Sequence, residues 1–266
     1  MTMAAATLLL NVTCASAERR SRRGETQMVM RCDAGKIVVD FDPEGLTATE
    51  EDAFTRLAAG GVADLEHVMA PVLETPAGDE RPIRFIVSDR VSMSRTFGRT
   101  VLLPLSRVRE KRAPYLHESV HALLPASHQS TWLSEGLACH LESWVAENVG
   151  GYDAHVFTSA GDRRIHDAAR RYLQTDLGRA VLPWVGAPGE PPDLFENRDE
   201  VARPFYVLSQ SFTKYLVEKL GLTPVLRLAS EADPEEALAR VSGRDAEHWR
   251  AEWRSGLFMR PVVPSS

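Results

Sequence analysis

The stretch YLHESVHALL, residues 115–124, lies near the middle of a 266-residue chain and sets two histidines four residues apart, with a glutamate directly after the first. In a helix, residues i and i+4 stand one above the other on the same face. His117 and His121 then aim two imidazoles at one point, where each nitrogen would sit about 2.0–2.1 Å from a zinc ion. Glu118 is turned by about 100° round the helix. That puts it beside the metal rather than on it, placed to take a proton from a metal-bound water. This spacing is a known zinc motif. Taken alone, the same letters also suit a solvated amphipathic helix.

A catalytic zinc ion needs a third protein ligand and an open fourth position. Fourteen residues beyond His121 comes Glu135, within WLSEGLACHLE, residues 132–142. Glu135 falls near the start of a second predicted helix, and Gly136 beside it would let that helix pack closely on the first. If the two cross there, Glu135 completes a set of two histidines and a carboxylate. The plain alternative is a helix-start glutamate favoured by the helix dipole.

The flanking sequence supplies a frame for these helices. KIVVDFD (36–42), IRFIVSD (83–89) and TVLLPLS (100–106) are rich in β-branched and apolar residues and read as strands. Pro104 assigns the third an edge position. Residues 48–70 carry Phe54, Leu57, Ala58, Val62, Leu65 and Met69 at helical spacing. The first metal helix is expected from Pro114 to Leu124, where Pro125 stops it, and the second from Trp132 to Glu147 with Thr131 as its N-cap. Further on, residues 162–174 read as a helix, WVGAPGEPPD (184–193) as a connection, and 199–256 as three or four helices. Strands come first and helices last, an α+β order. The expected organisation is an export segment over 1–17, a disordered linker over 18–30, an α+β lobe over 31–150 and a helical lobe over 151–266.

HESVH followed by WLSEGLA resembles the gluzincin metallopeptidases, the thermolysin-like and M1-like group. FGRTVLLPLS (97–106) resembles the edge strand beside their active-site helix, and FYVLSQSFTKYLVEKLG (205–221) resembles a downstream helix of the shorter M1-like members. The resemblance covers about residues 97–142, and more weakly 203–256. It implies a zincin-like fold: a small mixed sheet packed with the motif helix, and a helical lobe closing a cleft. It also implies one zinc ion per chain on His117, His121 and Glu135, with Glu118 as general base. Glu142, seven residues after Glu135, matches the M1-like pattern and would accept a hydrogen bond from a ligand histidine. Of the oxyanion-donor candidates Tyr172, Tyr206 and Tyr215, only Tyr206 stands at a matching place. The chain departs from the family in having no Gly-x-Met-Glu-Asn segment, which M1 aminopeptidases use to hold a substrate amino terminus. Cys139 stands where thermolysin-like proteins carry an aspartate.

The remaining features bound the function. A net charge of -6 gives no electrostatic case for nucleic acid, and no segment is long and apolar enough to span a bilayer. The N-terminus, with apolar Ala4–Leu10 and a small-residue Ala15-Ser16-Ala17 end, matches a short export signal, although four arginines follow it. The expected location is secreted, periplasmic or in the cell envelope. A cut after Ala17 would leave Cys32 and Cys139 as the remaining cysteines, free to pair in an oxidising compartment. The expected partner is a peptide or protein substrate. Two rivals stand beside the peptidase: a non-catalytic zinc-containing binding module of the envelope, and a zinc hydrolase acting on a non-peptide bond.

Overall fold

The computed structural model describes residues 12–20, 26–43, 45–73, 81–124, 130–152 and 161–259. It is α+β, with six strands and ten α-helices among the described residues. The strands are β1 (Thr13–Arg20), β2 (Thr26–Asp33), β3 (Ile37–Phe41), β4 (Ile83–Ser88), β5 (Arg95–Phe97) and β6 (Thr100–Pro104). The helices are α1 (Ala48–Met69), α2 (Leu105–Arg109), α3 (Tyr115–Leu123), α4 (Thr131–Asn148), α5 (Ile165–Leu173), α6 (Asp176–Val181), α7 (Arg203–Leu220), α8 (Leu222–Leu228), α9 (Pro234–Ser242) and α10 (Ala246–Met259). The chain divides into two compact units, Met1–Leu123 with Asn148–Asp153, and Leu124–Glu147 with Ala154–Ser266.

The first unit is built on one mixed sheet in the order β1-β2-β3-β4-β6-β5. The β3–β4 and β4–β6 pairs are parallel, and the others are antiparallel. Alternation along β3, β4 and β6 turns Ile37, Val39, Phe41, Ile83, Phe85, Val87, Val101 and Leu103 into the core, all of them fully buried. Helix α1 covers this face. A capping box between Thr47 and Glu50 starts it, and its buried stripe includes Phe54, Ala58, Val62, Leu65 and Met69. Phe54 joins three elements through edge-on ring contacts, with centroids 6.1 Å from Phe41, 6.4 Å from Phe85 and 5.9 Å from Tyr115. Helix α3 is held to α1 at Gly61, where an added Cβ would stand 2.5 Å from Leu116 Cδ2. Its other neighbours in the sheet are β5 and β6.

Three expectations change in this unit. Pro104 does not mark an edge: β6 lies between β4 and β5, and β5 is the edge. The proline is tolerated because β5 pairs only Thr100–Leu102 of β6, so Pro104 sits beyond that ladder. Residues 18–20 and 26–30 are strand rather than linker. β1 is itself an edge strand, where a polar composition costs little. The cysteine pairing also differs: Cys14 bonds Cys32, and Cys139 is a buried thiol outside the disulfide. Cys14 and Cys32 are direct partners in the β1–β2 register, with Cα atoms 4.0 Å apart. Cleavage after Ala17 would separate them. Ala15, Ser16 and Ala17 lie in β1, while the apolar stretch Ala4–Leu10 lies outside the described residues.

The second unit is helical and centres on α7, whose neighbours include α5, α6, α8 and α10. Helix α4 belongs to this unit rather than to the sheet, and Trp132, Gly136 and Ser143 along it meet α7. Trp132 packs on Phe212 at 5.2 Å between centroids, and Phe212 packs on Trp253 of α10 at 5.4 Å. At Gly136 an added Cβ would meet the Ser209 carbonyl oxygen at 2.8 Å and Thr213 Oγ1 closer still. Gly136 therefore serves a close helix approach, as expected, but with α7 on the other side of it. The start of α4 is tied down by Glu235 of α9, which accepts hydrogen bonds from Ser130 Oγ at 2.7 Å and Trp132 Nε1 at 2.6 Å. The N-cap is Ser130 rather than Thr131, since Ser130 O accepts from the amides of Leu133 and Ser134. No helix among the described residues is long and apolar enough to cross a membrane.

Candidate metal centre

Helix α3 opens as expected. The carbonyl of Pro114 accepts the Glu118 amide at 3.0 Å, and the helix runs to Leu123. This register puts both motif histidines on one stripe. Their Nε2 atoms stand 3.2 Å apart, and their rings meet edge-on at 4.8 Å between centroids. Two nitrogens each about 2.05 Å from one zinc ion at a tetrahedral angle would be roughly 3.3 Å apart. The histidine pair thus has the separation of two ligands on a common cation.

Glu135 lies in the first turn and a half of α4. One ligand atom from each of His117, His121 and Glu135 lies within 4.8 Å of the others. His117 is buried, and His121 and Glu135 are half-buried. Two imidazoles and a carboxylate form a donor set that suits zinc and other divalent transition ions.

Glu118 is also buried. Its Oε2 accepts a hydrogen bond from Thr96 Oγ1 at 2.7 Å, and the same hydroxyl lies 3.0 Å from the Glu118 backbone oxygen. Thr96 carried no signal in the sequence: it is 22 residues away, on a three-residue strand that the pattern of apolar residues does not mark.

Along α4, Glu142 is buried and lies two turns beyond Glu135. Cys139, between them, is a fully buried thiol that burial pushes well above its usual pKa, with the charges of Glu142 and Glu135 adding to the effect. It is an inert core thiol rather than a nucleophile. His140 Nδ1 lies 2.7 Å from Asp162 Oδ1, and Lys214 pairs with the other oxygen. Burial alone would raise the Asp162 carboxyl, but hydrogen bonds and charge from His140 and Lys214 outweigh it and bring the group down to about 2. His140 therefore belongs to a buried ion cluster.

The two tyrosines of α7 have different surroundings. Tyr215 Oη donates to Glu252 of α10 at 2.7 Å, and its ring is 6.3 Å from that of Trp249. Tyr206 is buried three residues before Ser209, the residue that meets Gly136. Elsewhere, His166 bonds Ser211 at 2.8 Å, and His248 is exposed beside Arg244 and Glu252. His128 and His155 lie outside the described residues.

No protein-family model matches this chain, and no curated protein matches it.

Proposed function

We propose that this chain is a zinc metallopeptidase of the gluzincin type. The reading rests above all on the convergence of His117, His121 and Glu135 with Glu118 one residue from the first ligand. His117 and His121 would hold the zinc through Nε2, and Glu135 through a carboxylate oxygen. Zinc bound there would supply Lewis-acid polarisation of the peptide carbonyl and a water of pKa about 7.

The chain's own residues do the proton work. Glu118 takes a proton from the attacking water on a carboxylate oxygen and returns it to the nitrogen of the leaving amine. The peptide thereby yields a carboxylic acid and an amine, with one water consumed. Glu142 orients a ligand histidine by accepting its distal N–H. A site that only served structure would need no base beside its ligands and would carry a fourth protein ligand instead. The reading includes export, which rests on the N-terminal pattern alone, because a cut after Ala17 would remove Cys14 from its bond with Cys32. Digestion of a peptide library by purified, zinc-loaded protein tests the activity. Cleavage at a defined set of positions is expected, and an intact library with zinc bound would exclude the peptidase reading.

Tyr206 is the proposed oxyanion donor. A positioned hydroxyl strengthens its hydrogen bond as negative charge builds on the carbonyl oxygen, so it acts mainly on the transition state. The Glu252 bond of Tyr215 directs that hydroxyl elsewhere. Tyr206→Phe is expected to lower kcat by roughly 10²–10³ with zinc content unchanged, and Tyr215→Phe to have little effect. Steady-state kinetics on a cleaved peptide check both, and a normal Tyr206→Phe or a failing Tyr215→Phe would remove the assignment.

A further inference from the structure

We infer that Thr96 is a positioning residue that orients the Glu118 carboxylate through its own hydroxyl. The inference rests on the peptidase reading and adds to it the residue that aims the base. Thr96 is the central residue of β5, the edge of the sheet. It pairs with Val101 of β6. Arg95 and Phe97 on either side are exposed, and Thr96 is half-buried. Strand alternation therefore turns Thr96 to the side opposite its neighbours, and β5 has α3 against it. From there the hydroxyl reaches two acceptors on a single residue, Glu118 Oε2 at 2.7 Å and Glu118 O at 3.0 Å.

The chemistry of that contact sets it apart from an ordinary strand-to-helix tie. A threonine hydroxyl has one proton, and both acceptors within its reach belong to Glu118. A glutamate side chain turns about three torsions, and losing one of its rotamers is cheap beside a misaligned proton transfer. A charge-assisted O–H···O⁻ bond at the carboxylate is stronger than a neutral one and fixes the plane of the group. General-base catalysis needs a carboxylate oxygen within hydrogen-bond reach of the proton it abstracts. Small displacements of such a group reduce turnover strongly, because the reacting atoms must already be aligned. The Glu118 backbone oxygen, 3.0 Å from the same hydroxyl, shares that one proton, so the contact stays on the α3 turn that carries the base.

The test uses the full chain, loaded with zinc, and a peptide that the wild type cleaves. Thr96→Val keeps the branched shape and removes the hydroxyl, while Thr96→Ser keeps the hydroxyl. Thr96→Val is expected to lower kcat by about 10- to 100-fold, the range for losing a hydrogen bond to a charged group. KM stays within about 2-fold and zinc content is unchanged, since neither a substrate contact nor a ligand is lost. Thr96→Ser is expected to return kcat to within about 3-fold of wild type. In a Glu118→Gln background, Thr96→Val should cause no further loss, because its effect passes through Glu118. A normal kcat in Thr96→Val, a serine variant as slow as the valine one, loss of zinc, or full additivity with Glu118→Gln would each overturn the assignment. Thr96→Ala carries the same test should the valine variant fail to fold. The two readings separate cleanly. An inactive wild type refutes the peptidase itself and an active Glu118→Gln enzyme refutes Glu118 as its base, whereas an inactive Glu118→Gln beside a normal Thr96→Val removes only the role of Thr96.

Discussion

Glu118→Gln is expected to keep its zinc and lose hydrolysis by roughly 10²–10⁴, the range that a positioned general base contributes. The amide is nearly isosteric with the carboxylate, so the buried position on α3 stays filled. It can still accept a hydrogen bond from Thr96 through its carbonyl oxygen, so the contact with β5 is not forcibly broken. What it lacks is a basic oxygen able to take a proton and hand it on. His117 and His121 keep their separation on the helix, and the donor set is unaltered. Steady-state kinetics with parallel elemental analysis make the separation: zinc retained with kcat collapsed assigns Glu118 to proton transfer. Near-normal turnover would refute it as the base, and loss of both together would make it a residue that builds the centre.

The elements nearest this chemistry were those most legible in the sequence, for local reasons. The helix carrying HESVH is marked within ten residues by its spacing and by Pro114, whose carbonyl accepts the first helical amide. The alternation that buries Val39, Phe85 and Leu103 is equally local. What escaped notice depends on distant partners. Gly136 announces that something comes close, but the approaching backbone belongs to Ser209, 73 positions on, and nothing in the helix names it. The Cys14–Cys32 bond follows from strand register, which cysteine spacing does not encode. β1 and β5 are edge strands, and an edge strand needs no apolar run because one side of its backbone faces away from the sheet. Thr96 inherits that silence: its importance comes from the one carboxylate it meets. The polar residues of the second unit show a related limit. His140 follows Cys139 on α4 with no local signal of a role, and only the proximity of Asp162 and Lys214 makes it part of a buried polar cluster.

Purified protein is expected to hold one zinc ion per chain, and His121→Ala to abolish that stoichiometric binding. Removing His121 takes away one of two imidazoles whose Nε2 atoms are 3.2 Å apart, leaving His117 with a carboxylate. Two donors cannot satisfy an ion that takes at least three protein ligands in catalytic sites. Glu135→Ala should weaken binding for the same reason, and this variant tests the contribution of α4 separately from that of α3. Glu142→Ala is expected to be milder, roughly a 10–100-fold loss of affinity, because a group that orients a ligand ring tunes the site without supplying a bond. The order of effects matters more than any single value. His121→Ala and Glu135→Ala should fall below the range of Glu142→Ala, and Glu118→Gln should not fall at all. Competition with a chelator of known zinc affinity gives these numbers without recourse to activity. The assignment fails if the wild type holds no stoichiometric zinc, if His121→Ala binds as the wild type does, or if Glu118→Gln loses the metal while Glu135→Ala keeps it. The last result would mean that the carboxylate beside the first histidine is the ligand, and that α4 supplies packing alone.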